Sequence, residues 1–175
     1  MFGAGVVLVA AVGAGLLVPQ AASAATTCAA PPGTAAEVAQ VEGDQACGAT
    51  SDGTAGAWSH GDRGVGFADG RGPALVAAAG LDGGVGAAES TAGRLLAVGA
   101  GFQALALGVL DLPGTAFVLA GPNSQAYIGD ADDPVLCEGE LAAAFNLEAL
   151  RGCLAVGAFR FVTPGAEPPA VDLAP

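Results

Sequence analysis

Lysine is absent from this 175-residue chain, and histidine, tryptophan, tyrosine and methionine occur once each. With His60 alone, no pair of imidazoles is available for a metal set. Aromatic residues make up 5% and charged residues 13% of a chain that is 53% hydrophobic, so its core must be built from Ala, Val and Leu, with 29 glycines shaping the backbone. Five arginines stand against 17 acidic residues, a net charge of −12. That balance repels nucleic-acid phosphates and anionic lipid, and neither is expected as a partner. Long apolar runs are missing as well. Val6 to Val18, VVLVAAVGAGLLV, falls short of the about 20 residues a spanning helix needs, so no membrane span is expected.

That short run has another use. It is followed by Pro19 and then by Ala22-Ser23-Ala24, the small-residue pattern that precedes a signal-peptidase cut. Residues 1–24 are therefore expected to form an export signal cleaved after Ala24, although Met1 to Gly5 carry no Lys or Arg. The protein is then secreted. A lipid anchor on Cys28 is the rival, but Ala25-Thr26-Thr27 lacks the apolar residue that such anchoring requires.

The four cysteines, Cys28, Cys47, Cys137 and Cys153, all follow this signal. An even number in an exported chain reads as two disulfides, with three pairings open. The sequential pairing, Cys28–Cys47 and Cys137–Cys153, is preferred because each pair then brackets one end of the central repeat. No two cysteines stand at the spacing of a zinc motif, and neither a metal nor a cofactor is expected.

Between the two pairs, from Gly64 to Asp133, apolar and small residues recur about every ten positions. In a frame starting at Gly64 the second and fourth positions are Val65/Phe67, Leu75/Ala77, Val85/Ala87, Leu95/Ala97, Leu105/Leu107, Thr115/Phe117 and Gln125/Tyr127. Apolar residues two apart are what a half-buried strand turns to a core, and these pairs are expected to point inward. Each ten ends in turn residues, such as Asp82-Gly83-Gly84, Pro113-Gly114 and Gly121-Pro122-Asn123. Glycine inside the apolar runs costs a helix about 1 kcal/mol each relative to Ala, so strands are the better reading. Gly64-Val65-Gly66-Phe67-Ala68-Asp69 returns twenty residues later as Gly84-Val85-Gly86-Ala87-Ala88-Glu89. Two tens thus make one coil. The expected fold is all-β, a short-strand β-solenoid or β-roll of ~10-residue half-coils. The alternative is an antiparallel β-sandwich or meander.

The flanks fill out a single domain over residues 25–162. An N-terminal cap spans 25–56, with a strand from Ala35 to Val41, a turn at Gly43-Asp44 and a loop from Gly48 to Gly56. The repeats take 57–133. A C-terminal cap at 134–162 begins with a strand at Val135 to Glu138, continues as strand or short helix from Glu140 to Leu147, and closes with strands at Leu154 to Val156 and Phe159 to Val162. The Pro-rich, acidic tail from Thr163 to Pro175 is expected to be disordered.

Residues capable of chemistry are few. His60 lies between Ser59 and Asp62, but sequence neighbours do not make a triad in space. Asp130-Ala131-Asp132-Asp133 lacks the Gly and Glu of an EF-hand, and reads as an acidic turn. Gly83-Gly84-Val85-Gly86 lacks the Asp of a calcium-binding β-roll repeat, and no helix follows it to make a dinucleotide loop. Trp58, Phe67, Phe102, Phe117, Tyr127, Phe145, Phe159 and Phe161 are expected to plug the core.

The Thr-Thr-Cys start, Gln45-Ala46-Cys47-Gly48, Gly64 to Asp69, Gly121-Pro122-Asn123-Ser124-Gln125-Ala126, Val135-Leu136-Cys137-Glu138-Gly139 and Gly152-Cys153 together resemble an uncharacterised family of small secreted Ala/Gly-rich actinobacterial proteins. That resemblance implies no activity and lends no catalytic residue. The Ala/Gly-rich coils are also similar to those of trimeric bacterial adhesin heads, which implies surface binding. The expected function is that of a secreted, non-catalytic structural or interaction protein of the cell envelope or extracellular space, self-associating or joining an envelope component. An adhesin-like binding module and a hydrolase using His60 are the alternatives.

Overall fold

The computed structural model describes residues 25–102, 104–110, 113–130 and 133–165. The expected signal at 1–24, the cleavage point after Ala24, residues Ala131 and Asp132 of the acidic turn, and residues 166–175 of the tail lie outside the described residues. Strands β1 (Thr26–Ala30), β2 (Ala35–Glu42), β3 (Gln45–Asp52) and β4 (Gly56–Asp62) open the fold. Through the repeat run β5 (Val65–Gly70), β6 (Ala74–Leu81), β7 (Val85–Ser90), β8 (Gly93–Ala100), β9 (Leu105–Ala106), β10 (Thr115–Ala120) and β11 (Gln125–Tyr127). It closes with β12 (Leu136–Glu138), β13 (Leu141–Asn146), β14 (Arg151–Val156) and β15 (Phe159–Val162). No helix occurs among the described residues, and the segment expected as strand or short helix is strand from Leu141 to Asn146.

The strands alternate between two sheets and coil as a β-solenoid. Sheet A has the order β1-β4-β6-β8-β10-β13-β14-β15 and sheet B the order β12-β11-β9-β7-β5-β3-β2. In the middle all neighbours are parallel, as successive turns of one coil must be. In sheet B the coil advances nineteen residues from Ala46 to Val65 and then twenty per turn, with Val65 on Val85, Val85 on Leu105 and Leu105 on Gln125. Sheet A advances by nineteen from Ala74 to Gly93 and by twenty-one from Arg94 to Thr115. At the ends the direction reverses. Antiparallel β1 and β2 cover one end of the stack, while β12 and the β13-β14-β15 meander cover the other.

Both disulfides form as the brackets require, Cys28–Cys47 and Cys137–Cys153. Following the register shows why they belong together. One inward row of sheet A runs Cys28, Ser59, Ala78, Ala97, Val118, Ala144, Cys153. The facing row of sheet B runs Cys47, Gly66, Gly86, Ala106, Ala126, Cys137. The two bonds therefore bolt sheet A to sheet B at opposite ends of the same pair of rows.

The core is a wedge. Reading back along β6 the inward residues are Gly80, Ala78 and Val76, and along β8 they are Gly99, Ala97 and Leu95. A Cβ at Gly80 would meet the carbonyl oxygen of Val65, and one at Gly99 that of Val85, closer than a methyl group ever sits. The sheets converge at this edge because β4 reaches β5 through only Arg63-Gly64, and β6 reaches β7 through Asp82-Gly83-Gly84. Asp82 and Gly83 there have φ of 49° and 85°, the left-handed backbone that a reversal this tight demands.

A wedge this thin overturns two expectations. Of the second- and fourth-position pairs only Leu95/Ala97 points inward; Val65/Phe67, Leu75/Ala77, Val85/Ala87, Leu105/Leu107, Thr115/Phe117 and Gln125/Tyr127 stand on the outer faces. The interior accepts Gly and Ala, so the larger members of each alternation go outside. The nineteen-residue step into β8 shifts the phase by one, which is why Leu95 and Ala97 alone turn inward. For the same reason none of the aromatic residues among the described residues plugs the core. Phe145 and Tyr127 are half-buried, and Trp58, Phe67, Phe102, Phe117, Phe159 and Phe161 are exposed. The expected loop from Gly48 is strand as far as Asp52, because β3 is the first parallel rung and pairs with β5.

Candidate functional site

Alternation along β4 separates the residues flanking His60. Ser59 faces the core and is buried, with no partner for its hydroxyl, whereas His60 lies on the outer face of sheet A. His60 Nδ1 lies 3.1 Å from Thr27 Oγ1 on neighbouring β1. Asp62 lies 3.8 Å from Arg63, which also pairs with Asp82 in the corresponding turn of the next coil. Ser59, His60 and Asp62 are thus not brought together.

Of the acidic turn, Asp130 and Asp133 are described and bond to each other. Asp133 N donates to Asp130 Oδ1 at 3.1 Å, and the Tyr127 hydroxyl donates to Asp133 Oδ2 at 3.0 Å. Burial, then this carboxylate, push the Tyr127 phenol up to about 12. Asp52 works as a clamp between coils. Its carboxylate accepts from Gly72 N at 2.7 Å, from Thr54 Oγ1 at 2.7 Å and Thr54 N at 2.8 Å, and from Ala55 N at 3.2 Å. The Gly72 bond foremost, with those from Thr54 and Ala55, holds it well below the usual carboxylate range. Among the described residues no three His, Cys, Asp or Glu side chains gather as metal ligands.

What the structure does assemble is a surface. The outer face of sheet A carries one row running Trp58, Ala77, Leu96, Phe117, Phe145 and a second running His60, Ala79, Val98, Leu119, Ala143, Leu154. Trp58, Leu75, Leu96 and Phe117 are 40%, 46%, 47% and 37% exposed. Phe117 and Phe145 touch with ring centroids 5.4 Å apart. Because Ala77 and Ala79 are small, a groove of 450 Å³ lies along β6, between Trp58 on one side and Leu96 and Phe117 on the other. A smaller adjoining cavity of 210 Å³ reaches past Ala79 to His60 and Thr27.

The sequence matches the profile of a family of unknown function over residues 1–156. The chain belongs to that family, DUF6764. Neither a curated protein nor a solved structure matches it.

In this DUF6764 chain the charges are divided between the sheets. The eight strands of sheet A contain a single acidic residue, Asp62, at the end of β4, together with Arg94, Arg151 and Arg160. The strands of sheet B contain Glu37, Glu42, Asp52, Asp69, Glu89 and Glu138. Arg94 borders the groove and makes no ion pair among the described residues, whereas Arg63 and Arg71 are paired with Asp82 and Asp69 at the turns. Composition alone does not reveal this face, because large apolar and aromatic residues are ordinarily expected inside. The available signal was the absence of acids from alternate tens: Leu75 to Gly80, Leu95 to Ala100 and Thr115 to Ala120 hold none, while Val65 to Gly70 and Val85 to Ser90 hold Asp69 and Glu89.

Proposed function

We propose that this protein is a non-catalytic interaction module, exported from the cell, that works through the outer face of sheet A. The observation carrying the reading is the acid-poor apolar surface centred on Leu96 and Phe117 in a chain of net charge −12. Soluble monomers seldom expose contiguous apolar patches beyond a few hundred Å², and larger ones mark binding sites. The solenoid explains how so small a chain holds such a surface flat, since parallel rungs fix each side chain beside its equivalent in the next coil. Two disulfides are compatible with action outside the cell, where oxidising conditions keep them formed.

Site-specific photocrosslinking in producing cells tests the assignment. With p-benzoylphenylalanine in place of Leu96, the chain should be captured in a covalent adduct. The same group in place of Val85, on the outer face of sheet B, should give none. Adducts from position 85 with none from position 96 would show that the interacting face lies elsewhere.

A further inference from the structure

We propose that the occupant of the sheet A face is a second copy of this chain, packed sheet on sheet about a two-fold axis. The proposal rests on the reading of that face as the interaction surface and names its partner.

Three observations point to a second copy. The first is area. A two-fold axis between β6 and β8 opposes six strands, β1, β4, β6, β8, β10 and β13; each about 4.8 Å wide and some seven residues long at about 3.3 Å per residue, they make a face of roughly 29 by 23 Å, or about 650 Å². Stable protein interfaces bury about 600–1,000 Å² on each partner. The second is charge. Two chains of net charge −12 repel each other, so they can meet only where the acids are absent, and sheet A is the sheet whose strands are nearly free of them. The same net charge disfavours an anionic bilayer as the alternative occupant.

The third observation is shape. A two-fold contact must be self-complementary, each surface element meeting its own counterpart. Ala77 and Leu96 are direct register partners on β6 and β8, a hollow beside a ridge. An axis running between these strands and parallel to them lays Leu96 of each copy into the other copy's groove over Ala77. Trp58 of one copy then meets Phe117 of the other, because both belong to the same row. Sheets packed this way align within about 30°, as in β-sandwiches. Arg94 is exposed near the start of β8, at the edge of the face, where an arginine can keep its guanidinium in water while its stem covers apolar surface.

Sedimentation of the full oxidised chain over about 1–100 µM, where interfaces of this size begin to associate, is the test. The expected result is a reversible monomer–dimer equilibrium. Emission from Trp58, the only tryptophan, should shift to the blue as the dimer forms. Leu96→Glu and Ala77→Glu should each weaken the dimer at least about tenfold, since each buries an unpaired carboxylate at the contact. Val85→Glu on the other sheet should not. Retention of both disulfides and of the far-ultraviolet spectrum shows that each variant is folded. A chain that stays monomeric throughout overturns the proposal. So does a dimer indifferent to Leu96→Glu and Ala77→Glu, or a Trp58 shift produced by phospholipid vesicles while the chain remains monomeric. A position-96 crosslink to a different protein leaves the interaction face standing and removes the second copy, whereas no crosslink from position 96 removes both.

Discussion

At Gly80 and Gly99 the space a β-carbon would need is already filled by the carbonyl oxygens of Val65 and Val85. These oxygens belong to β5 and β7 and cannot rotate away as a side chain can. Gly80→Ala and Gly99→Ala would each gain about 0.5–1 kcal/mol by restricting the unfolded chain. Against that stands an overpacking cost of about 1–3 kcal/mol, towards its upper end because the clash is with backbone. A net loss of about 1–2 kcal/mol per substitution is expected in guanidinium unfolding. No change in stability would mean that the sheets do not converge at this edge. Ala77 shows the same smallness serving a different end, since on the outer face a small residue leaves a groove where inside it permits contact. Nothing in the residue type tells the two cases apart. They differ only in which side of β6 the residue occupies.

At the scale of strands and turns, the ten-residue period was legible because reversals constrain residue type strongly. Asp82-Gly83-Gly84 must supply positive φ, and such clusters announce where each half-coil ends. The cysteine brackets were legible on similar grounds, from position alone. Which face each strand buries was not, because the usual assumption sends the larger apolar residue inward. Here Val65, Phe67 and Leu75 are displaced outward by a core that has room for little beyond Gly, Ala and an occasional Val or Leu. The row from Trp58 to Phe145 was hidden for a second reason: its members lie nineteen to twenty-eight residues apart and become neighbours only through the unequal steps of sheet A. The end caps carry a prediction of their own. The two disulfides close sequence separations of 19 and 16 residues, so replacing either pair by serine should cost about 3 kcal/mol in the chain-entropy account. Because each bond joins the sheets at one end only, Cys137→Ser with Cys153→Ser should speed amide exchange in β13–β15 while leaving β4 and β6 protected. Uniform loss of protection across all these strands would argue against end-localised bolts.

Taken as one object, the molecule is a short stack in which each coil contacts chiefly the coils above and below. Such a stack should tolerate losing one whole turn but not half of one. Deleting residues 65–84 removes β5 and β6 and lets β3 meet β7 and β4 meet β8. Inward Ala57 then stands beside inward Leu95, and outward Trp58 beside outward Leu96, so both faces keep their sense. The shortened chain should retain Cys28–Cys47 and Cys137–Cys153 in non-reducing peptide maps. It should unfold in one cooperative thermal transition, at a lower midpoint because it has fewer coil interfaces. Deleting only residues 65–74 removes a strand from sheet B but none from sheet A, so the chain must run from β4 into β6 without crossing the wedge. That variant should yield scrambled disulfides and aggregate. If the half-coil deletion folds as well as the full one, the coil is not the unit of this structure. The full deletion also takes Ala77 with it and places the Trp58 ridge directly against Leu96, closing the groove on sheet A. A chain that keeps its disulfides and cooperative unfolding yet sediments as a monomer would therefore separate the two roles of the repeat, the inner faces holding the stack together and the outer face holding the second copy.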